Sequence, residues 1–278
     1  MPAEGNPPAD RVGATQADHR LATDLATRAG VLLVELRRQY RFDGVAGPGA
    51  DPGDDDELRR AGDRLAHEFL AGALAEARPG DAVLSEEAPD DLRRLHAERV
   101  WIIDPLDGTR QYGEPGRSDW AVHVALAVDG VPAAGAVALP AEGVTLSTAD
   151  PPSLPSTAEV AGRQRRVITS RSRPGPDARG VAAALDAELV MLGSVGAKTA
   201  AVIRGEADAY VHSGGQSEWD SAAPVAVALA CGLHASRLDG RALRYNRPNV
   251  ELPDLLICHP ELTAAALAAA AAVGTPAN

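Results

Sequence analysis

Positive charge is in short supply in this chain: 27 Lys and Arg stand against 39 Asp and Glu, a net charge of −12 over 278 residues. A nucleic-acid polymer or an anionic membrane is therefore a poor partner, because binding either rests on basic side chains. Cysteine is scarcer still, with only Cys231 and Cys258. Two thiols in apolar settings make no disulfide framework and point to a reducing, cytoplasmic compartment. Long apolar runs are also missing: Leu262 to Val273, the longest, falls short of the ~20 residues that span a bilayer. The first ten residues are Pro-rich and acidic, unlike a signal peptide. The seven His form no H-x-x-x-H or Cys/His cluster, which disfavours zinc. No internal repeat is evident. What remains is 45% apolar, enough to fill two lobes at the usual ~100–200 residues per domain.

One stretch organises the rest. Trp101-Ile102-Ile103-Asp104-Pro105-Leu106-Asp107-Gly108-Thr109 is an apolar run that stops on two carboxylates and a Gly-Thr step. Val100 to Ile103 favour a buried strand, and Pro105, which lacks an N–H, is expected to end the ladder just after Asp104. Asp104 and Asp107 can then converge on one hard cation, with the Leu106 carbonyl free to join them. Gly108 and Thr109 offer N–H groups to an anion. The plainer alternative is an Asp-rich turn that closes a loop. Phosphatases with an aspartyl nucleophile carry two acids separated by one residue; here two intervene, so water is the expected nucleophile.

Along the chain, Thr15 to Tyr40 reads as an amphipathic helix with Leu21, Leu25, Ala29, Leu32 and Leu36 on one face. A Gly, Pro and Asp loop follows from Phe42 to Asp55. The acidic run Asp54 to Glu57 reads as a solvated helix start. A second helix runs from about Glu57 to Ala77, with Leu58, Leu65, Phe69 and Leu74 toward the core and Asp63 within it. Strands are expected at Val83-Leu84, Val100 to Ile103, Trp120 to Val128, Val131 to Leu139 and Val144 to Ser147, with Asp129-Gly130 a hairpin turn. The Pro, Ser and Thr stretch from Asp150 to Gly162 marks a boundary between a lobe 1–150 and a lobe 151–278. Beyond it, strands at Arg166–Thr169, Leu189–Leu192 and Ala207–His212 alternate with helices at Pro176–Leu185, Val195–Arg204 and Ser221–Cys231. That alternation predicts an α/β second lobe beside an antiparallel-rich α+β first lobe.

Asp104-Pro105-Leu106-Asp107-Gly108-Thr109 resembles the D-P-L-D-G-T signature of the inositol monophosphatase superfamily of magnesium-dependent phosphatases. Leu84-Ser85-Glu86-Glu87 falls where that family has its metal-binding Glu, and Glu218-Trp219-Asp220-Ser221-Ala222 resembles its W-D-x-A element. The resemblance implies a layered α-β-α-β-α sandwich of the inositol monophosphatase and fructose-1,6-bisphosphatase type, with the site between lobes. It implies two or three Mg2+ ions, one held by Glu86, Asp104 and the Leu106 carbonyl, another by Asp104, Asp107 and Asp220. Gly108 and Thr109 would hold phosphate, and Thr109, oriented by Asp63, would aim the water. The family's T-x-x-D is here Arg60-Ala61-Gly62-Asp63, so the Thr is replaced.

Substrate features are sparser. Gly193-Ser194-Val195-Gly196-Ala197-Lys198 and the Asp239-to-Asn246 segment resemble 3′(2′),5′-bisphosphate nucleotidases of the CysQ type, although Ala242 departs from the usual Pro. The resemblance implies hydrolysis of the 3′-phosphate of adenosine 3′,5′-bisphosphate, and of its sulfated form. Lys198 would read the second phosphate, or else is a solvated helical Lys. Tyr245 either flanks a base or is a buried structural residue. Inositol-1-phosphate, fructose-1,6-bisphosphate and a catalytically silent metal- or phosphate-binding regulator are the competing readings. A monomer or homodimer acting on a small phosphorylated substrate is expected.

Overall fold

A computed structural model describes residues 13–42, 52–155, 162–172 and 174–273. The loop expected after Phe42 lies largely outside the described residues, as do most of the first ten-residue run's neighbours at the amino end. Two long helices come first, α1 (Gln16–Phe42) and α2 (Pro52–Ala77). The acidic run sits in the opening turns of α2, as expected for a helix start. Both helices bury a stripe that differs by one step from the sequence reading. Leu33 is fully buried where Leu32 is only half-buried, and Leu70 joins Leu58 and Leu74 while Leu65 and Phe69 stay half-covered.

The first sheet has the order β1 (Ala82–Ser85), β2 (Arg99–Asp107), β3 (Ala121–Val128), β4 (Val131–Leu139) and β5 (Val144–Ser147). Only β1 and β2 run parallel. Asp129 and Gly130 turn the β3–β4 hairpin, both with positive φ (50° and 72°), as a tight turn matched to strand twist requires. The second sheet has the order β7 (Ala187–Leu192), β6 (Arg165–Ser170), β8 (Ala209–Ser217), β10 (Glu251–Cys258) and β9 (His234–Ser236). β6 is parallel to both β7 and β8, while β10 is antiparallel to both β8 and β9. β9, β10 and the last helix, α7 (Thr263–Val273), have no counterpart in the sequence reading.

Five layers result. Trp101 and Ile103 of β2 face Leu25, Leu33 and Leu70 of α1 and α2. Val100 and Ile102, on the opposite face, meet residues of α5 (Val195–Ile203) and α6 (Glu218–Ala230). Those helices also cover Ile168, Tyr210, Leu255 and Ile257 of the second sheet. Beyond that sheet, Val167, Val211 and Leu256 pack on α4 (Pro176–Ala184) and α7. The chain crosses between sheets after Ser147, in a stretch that includes the expected lobe boundary at 150/151. The α5–α6 layer, contributed by the second half, serves both sheets as one core.

Candidate active site

Pro105 does not end its strand. The β2–β3 pairing matches Asp104 to His123 and Asp107 to Ala121, so three steps on β2 oppose two on β3. That bulge has a chemical consequence. Side chains alternate along a regular strand, so residues three apart would point to opposite faces. The extra residue flips the register and lets both carboxylates face the central helix layer, while Leu106 turns to the α1–α2 side. Short α3 (Thr109–Gly113) then starts at Gly108, whose φ of 86° suits glycine.

The third carboxylate comes from the other half of the chain. α6 starts three residues earlier than expected, with Ser217 as its cap. Asp220 in the first turn accepts from the Ser217 N–H at 2.5 Å. One oxygen each from Asp104, Asp107 and Asp220 lies within 4.8 Å of the others. Their protonation differs by environment. Burial lifts Asp104 well above the usual carboxylate range, and repulsion from Glu86, Asp107 and Asp220 adds to it. Burial and the charge of Asp107 push Asp220 up to about 6. Burial would also raise Asp107, but His123, Lys198 and Ser194 hold it down at about 2. The contacts are short: His123 Nε2 stands 3.2 Å from Asp107 Oδ2, the Ser194 hydroxyl donates to that oxygen at 2.5 Å and the Gly196 N–H at 2.9 Å.

Glu86 follows β1. Its residue is open to solvent on one side, yet its carboxyl turns toward the acids, where desolvation and the charge of Asp220 push it up to about 7. Its neighbour Ser85 is held by His67 of α2 at 3.0 Å. Thr109 donates to the Leu106 carbonyl at 2.9 Å and stands 3.5 Å from Asp63 Oδ1. Burial, then the charge of Glu87, pushes Asp63 up to about 7. The carboxyls of Glu86, Asp104 and Asp220, crowded enough to favour their protonated forms, together with the charged Asp107 and the Leu106 carbonyl, fit a hard divalent cation that would displace those protons.

The substrate-side residues fare differently. The Gly193 N–H is taken by Asp119 at 2.7 Å, and Ser194 is engaged with Asp107. Lys198, the only lysine in the chain, is 3% exposed rather than solvated. Its ammonium donates to the carbonyls of Gly193 and Ser194 and lies 5.1 Å from the centre of the Tyr210 ring. Tyr245 is a core residue, 2% exposed, with its hydroxyl 3.2 Å from Ser221 Oγ. It therefore does not flank a base in this arrangement. Sequence reasoning missed His123, Gly196 and Asp119. For His123 a signal existed: on a β2–β3 antiparallel pair it falls opposite Asp104.

The family model described as "Inositol monophosphatase family" matches residues 16–274. A Mycobacterium leprae protein named 3′-phosphoadenosine 5′-phosphate phosphatase is 48% identical over 254 residues, covering 88% of this chain and 90% of that protein. The Escherichia coli 3′(2′),5′-bisphosphate nucleotidase CysQ is 30% identical over 230 residues, covering 80% and 91%. In fold, the chain is similar to CysQ from Bacteroides thetaiotaomicron, with a TM-score of 0.71 at 24% identity over 88% of this chain and 97% of that one. With matched motifs, layers and acid cluster in the same chain, it belongs to the inositol monophosphatase family.

Proposed function

We propose that this protein is a magnesium-dependent phosphatase that removes the 3′-phosphate of adenosine 3′,5′-bisphosphate. One observation carries the reaction class: three carboxylates, Asp104 and Asp107 buried and Asp220 half-buried, converge beside the Gly108-Thr109 turn, with Asp104 and Asp220 pushed up by desolvation and neighbouring acids. The substrate choice is supported by the 48% identity to a protein named for that activity.

In this reading Glu86, Asp104 and the Leu106 carbonyl hold one Mg2+, and Asp104, Asp107 and Asp220 another. Bound there, the ions supply the positive charge that offsets the phosphate dianion and make water more acidic. Gly108 and Thr109, at the amino end of α3 where N–H groups lack intrahelical acceptors, hold phosphate oxygens. The Thr109 hydroxyl orients the attacking water. Asp63, with its carboxyl at about 7, takes up the proton near neutral pH. The new bond joins water oxygen to phosphorus, the bond to the ribose 3′-oxygen breaks, that oxygen takes a proton from solvent, and Asp63 returns its proton to solvent.

Among the described residues no helix is long and apolar enough to cross a membrane. Two free cysteines, Cys231 half-buried and Cys258 buried, support a cytoplasmic location. The test is phosphate release with Mg2+ from adenosine 3′,5′-bisphosphate, inositol-1-phosphate and fructose-1,6-bisphosphate at equal concentration. Preferred turnover of the first is expected, and a preference for either sugar phosphate would sink the substrate assignment.

A further inference from the structure

Glu86 and Asp220 approach the site on separate arms. Glu86 leads into a short 3-10 turn at Leu92–His96 beside the first sheet, whereas Asp220 rides on α6. Two ligands on separate arms keep one separation only where something rigid joins the arms. A polar knot at Arg94 joins the two arms. Arg94 is 1% exposed. Its Nε and Nη2 donate to the Asp90 carboxylate at 2.6 and 2.8 Å, its Nη1 to Asn246 Oδ1 at 2.8 Å, and its Nη2 also to the Arg247 carbonyl at 3.1 Å. Asn246 answers by donating Nδ2 to the Arg94 carbonyl at 2.9 Å. On the other side Glu218, 0% exposed and two residues before Asp220, accepts the backbone N–H groups of Asn246 at 2.6 Å and Arg247 at 2.8 Å. Asn246 has a φ of 56°, and the preceding Tyr245 N–H is fixed on the Gly130 carbonyl at 3.0 Å.

We propose that the Arg94–Asn246–Glu218 knot sets the separation between Glu86 and Asp220, and that Arg94 and Asn246 are positioning residues for metal binding. The proposal rests on the metal assignment given above. A planar guanidinium that meets a carboxylate with two nitrogens and still spans to a second chain segment fixes both distance and angle. Supporting groups of this kind typically change metal affinity 10- to 100-fold when removed.

The test measures Mn2+ binding to the full chain without substrate, by electron paramagnetic resonance of the free ion. The variants are Arg94→Met and Asn246→Gly, the second chosen because glycine accepts a positive φ and so preserves the fold. Both are expected to bind Mn2+ about tenfold more weakly. At saturating Mg2+ both should recover turnover with an unchanged KM. Arg163→Ala, which breaks an ion pair with Asp208 at the opposite ends of the second-sheet strands, serves as a control and should leave Mn2+ affinity unchanged even though it lowers the melting temperature. Wild-type Mn2+ affinity in both knot variants, or an equal loss in the control, would overturn the positioning role. Failure of the wild type itself to bind Mn2+ would instead overturn the metal reading beneath it.

Discussion

The Ser194 hydroxyl donates to Asp107 Oδ2 at 2.5 Å, joining the amino end of α5 to the last residue of β2 across 87 positions of sequence. With the Gly196 N–H and His123 on the same oxygen, it makes Asp107 the charged member of the acid set. Asp104 accepts from the Leu106 N–H at 3.1 Å and has His123 only at 3.9 Å, and burial lifts its carboxyl well above the usual range.

Substituting these two aspartates should therefore have unequal effects on stability. Asp104→Asn replaces a carboxyl that burial already lifts toward its neutral form. Melting in chelator should be close to wild type while activity is lost. Asp107→Asn removes the charge that His123, Ser194 and the Gly196 N–H surround and should cost about 3 kcal/mol. Denaturant titrations of the two variants in chelator decide it; equal stabilities would refute the division of charge.

Metal affinity should depend on pH. In the metal-free fold Asp104, Glu86 and Asp220 keep protons that a bound cation must displace. Apparent Mg2+ affinity should therefore climb as pH passes through about 6 to 7. Calorimetry in buffers of different ionisation enthalpy should show proton release on the acid side. The same groups are raised above their unfolded values, so their contribution to the metal-free fold is complete below the ordinary carboxylate range. It is lost as pH rises through about 6 to 7. Chelated protein should thus melt lower at pH 8 than at about pH 5, a difference that Mg2+ removes.

Thr109→Ala should lower kcat by roughly 10²- to 10⁴-fold and leave KM nearly unchanged, because it removes the water-orienting hydroxyl and keeps the N–H groups. Loss of the 2.9 Å bond to Leu106 should cost only about 1 kcal/mol. Thr109→Ser should restore most of the rate. A variant with raised KM and normal kcat would show a binding role instead.

Lys198→Ala should reduce turnover of adenosine 3′,5′-bisphosphate and inositol-1-phosphate alike. Its ammonium braces the Gly193 and Ser194 carbonyls behind Asp107 rather than facing outward. Because it is the only lysine, a ¹⁵N-lysine sample reports on it with one side-chain signal. A loss confined to the bisphosphate, with that signal moving only when bisphosphate binds, would return Lys198 to the role of phosphate reader.

Much of this protein was legible in one dimension because its signals are local. The β-branched run of β2, the Asp129-Gly130 turn, and the acids of Asp104-Pro105-Leu106-Asp107 and Trp219-Asp220 depend on near neighbours and on alternation. So do the helices that flank the sheets. Tertiary structure decided everything that turns on register or on distant partners. Pro105 could read as a strand end until β3 supplied a ladder on the far side and turned it into a bulge. Which aspartate carries charge was set by Ser194, Gly196 and Lys198, packed from another layer. In sequence Lys198 read as a phosphate contact or a solvated helical residue, and Tyr245 as a base-flanking or a buried structural one. Only the packing of α5 against β8, and of the 245–247 turn against α6, took both out of water.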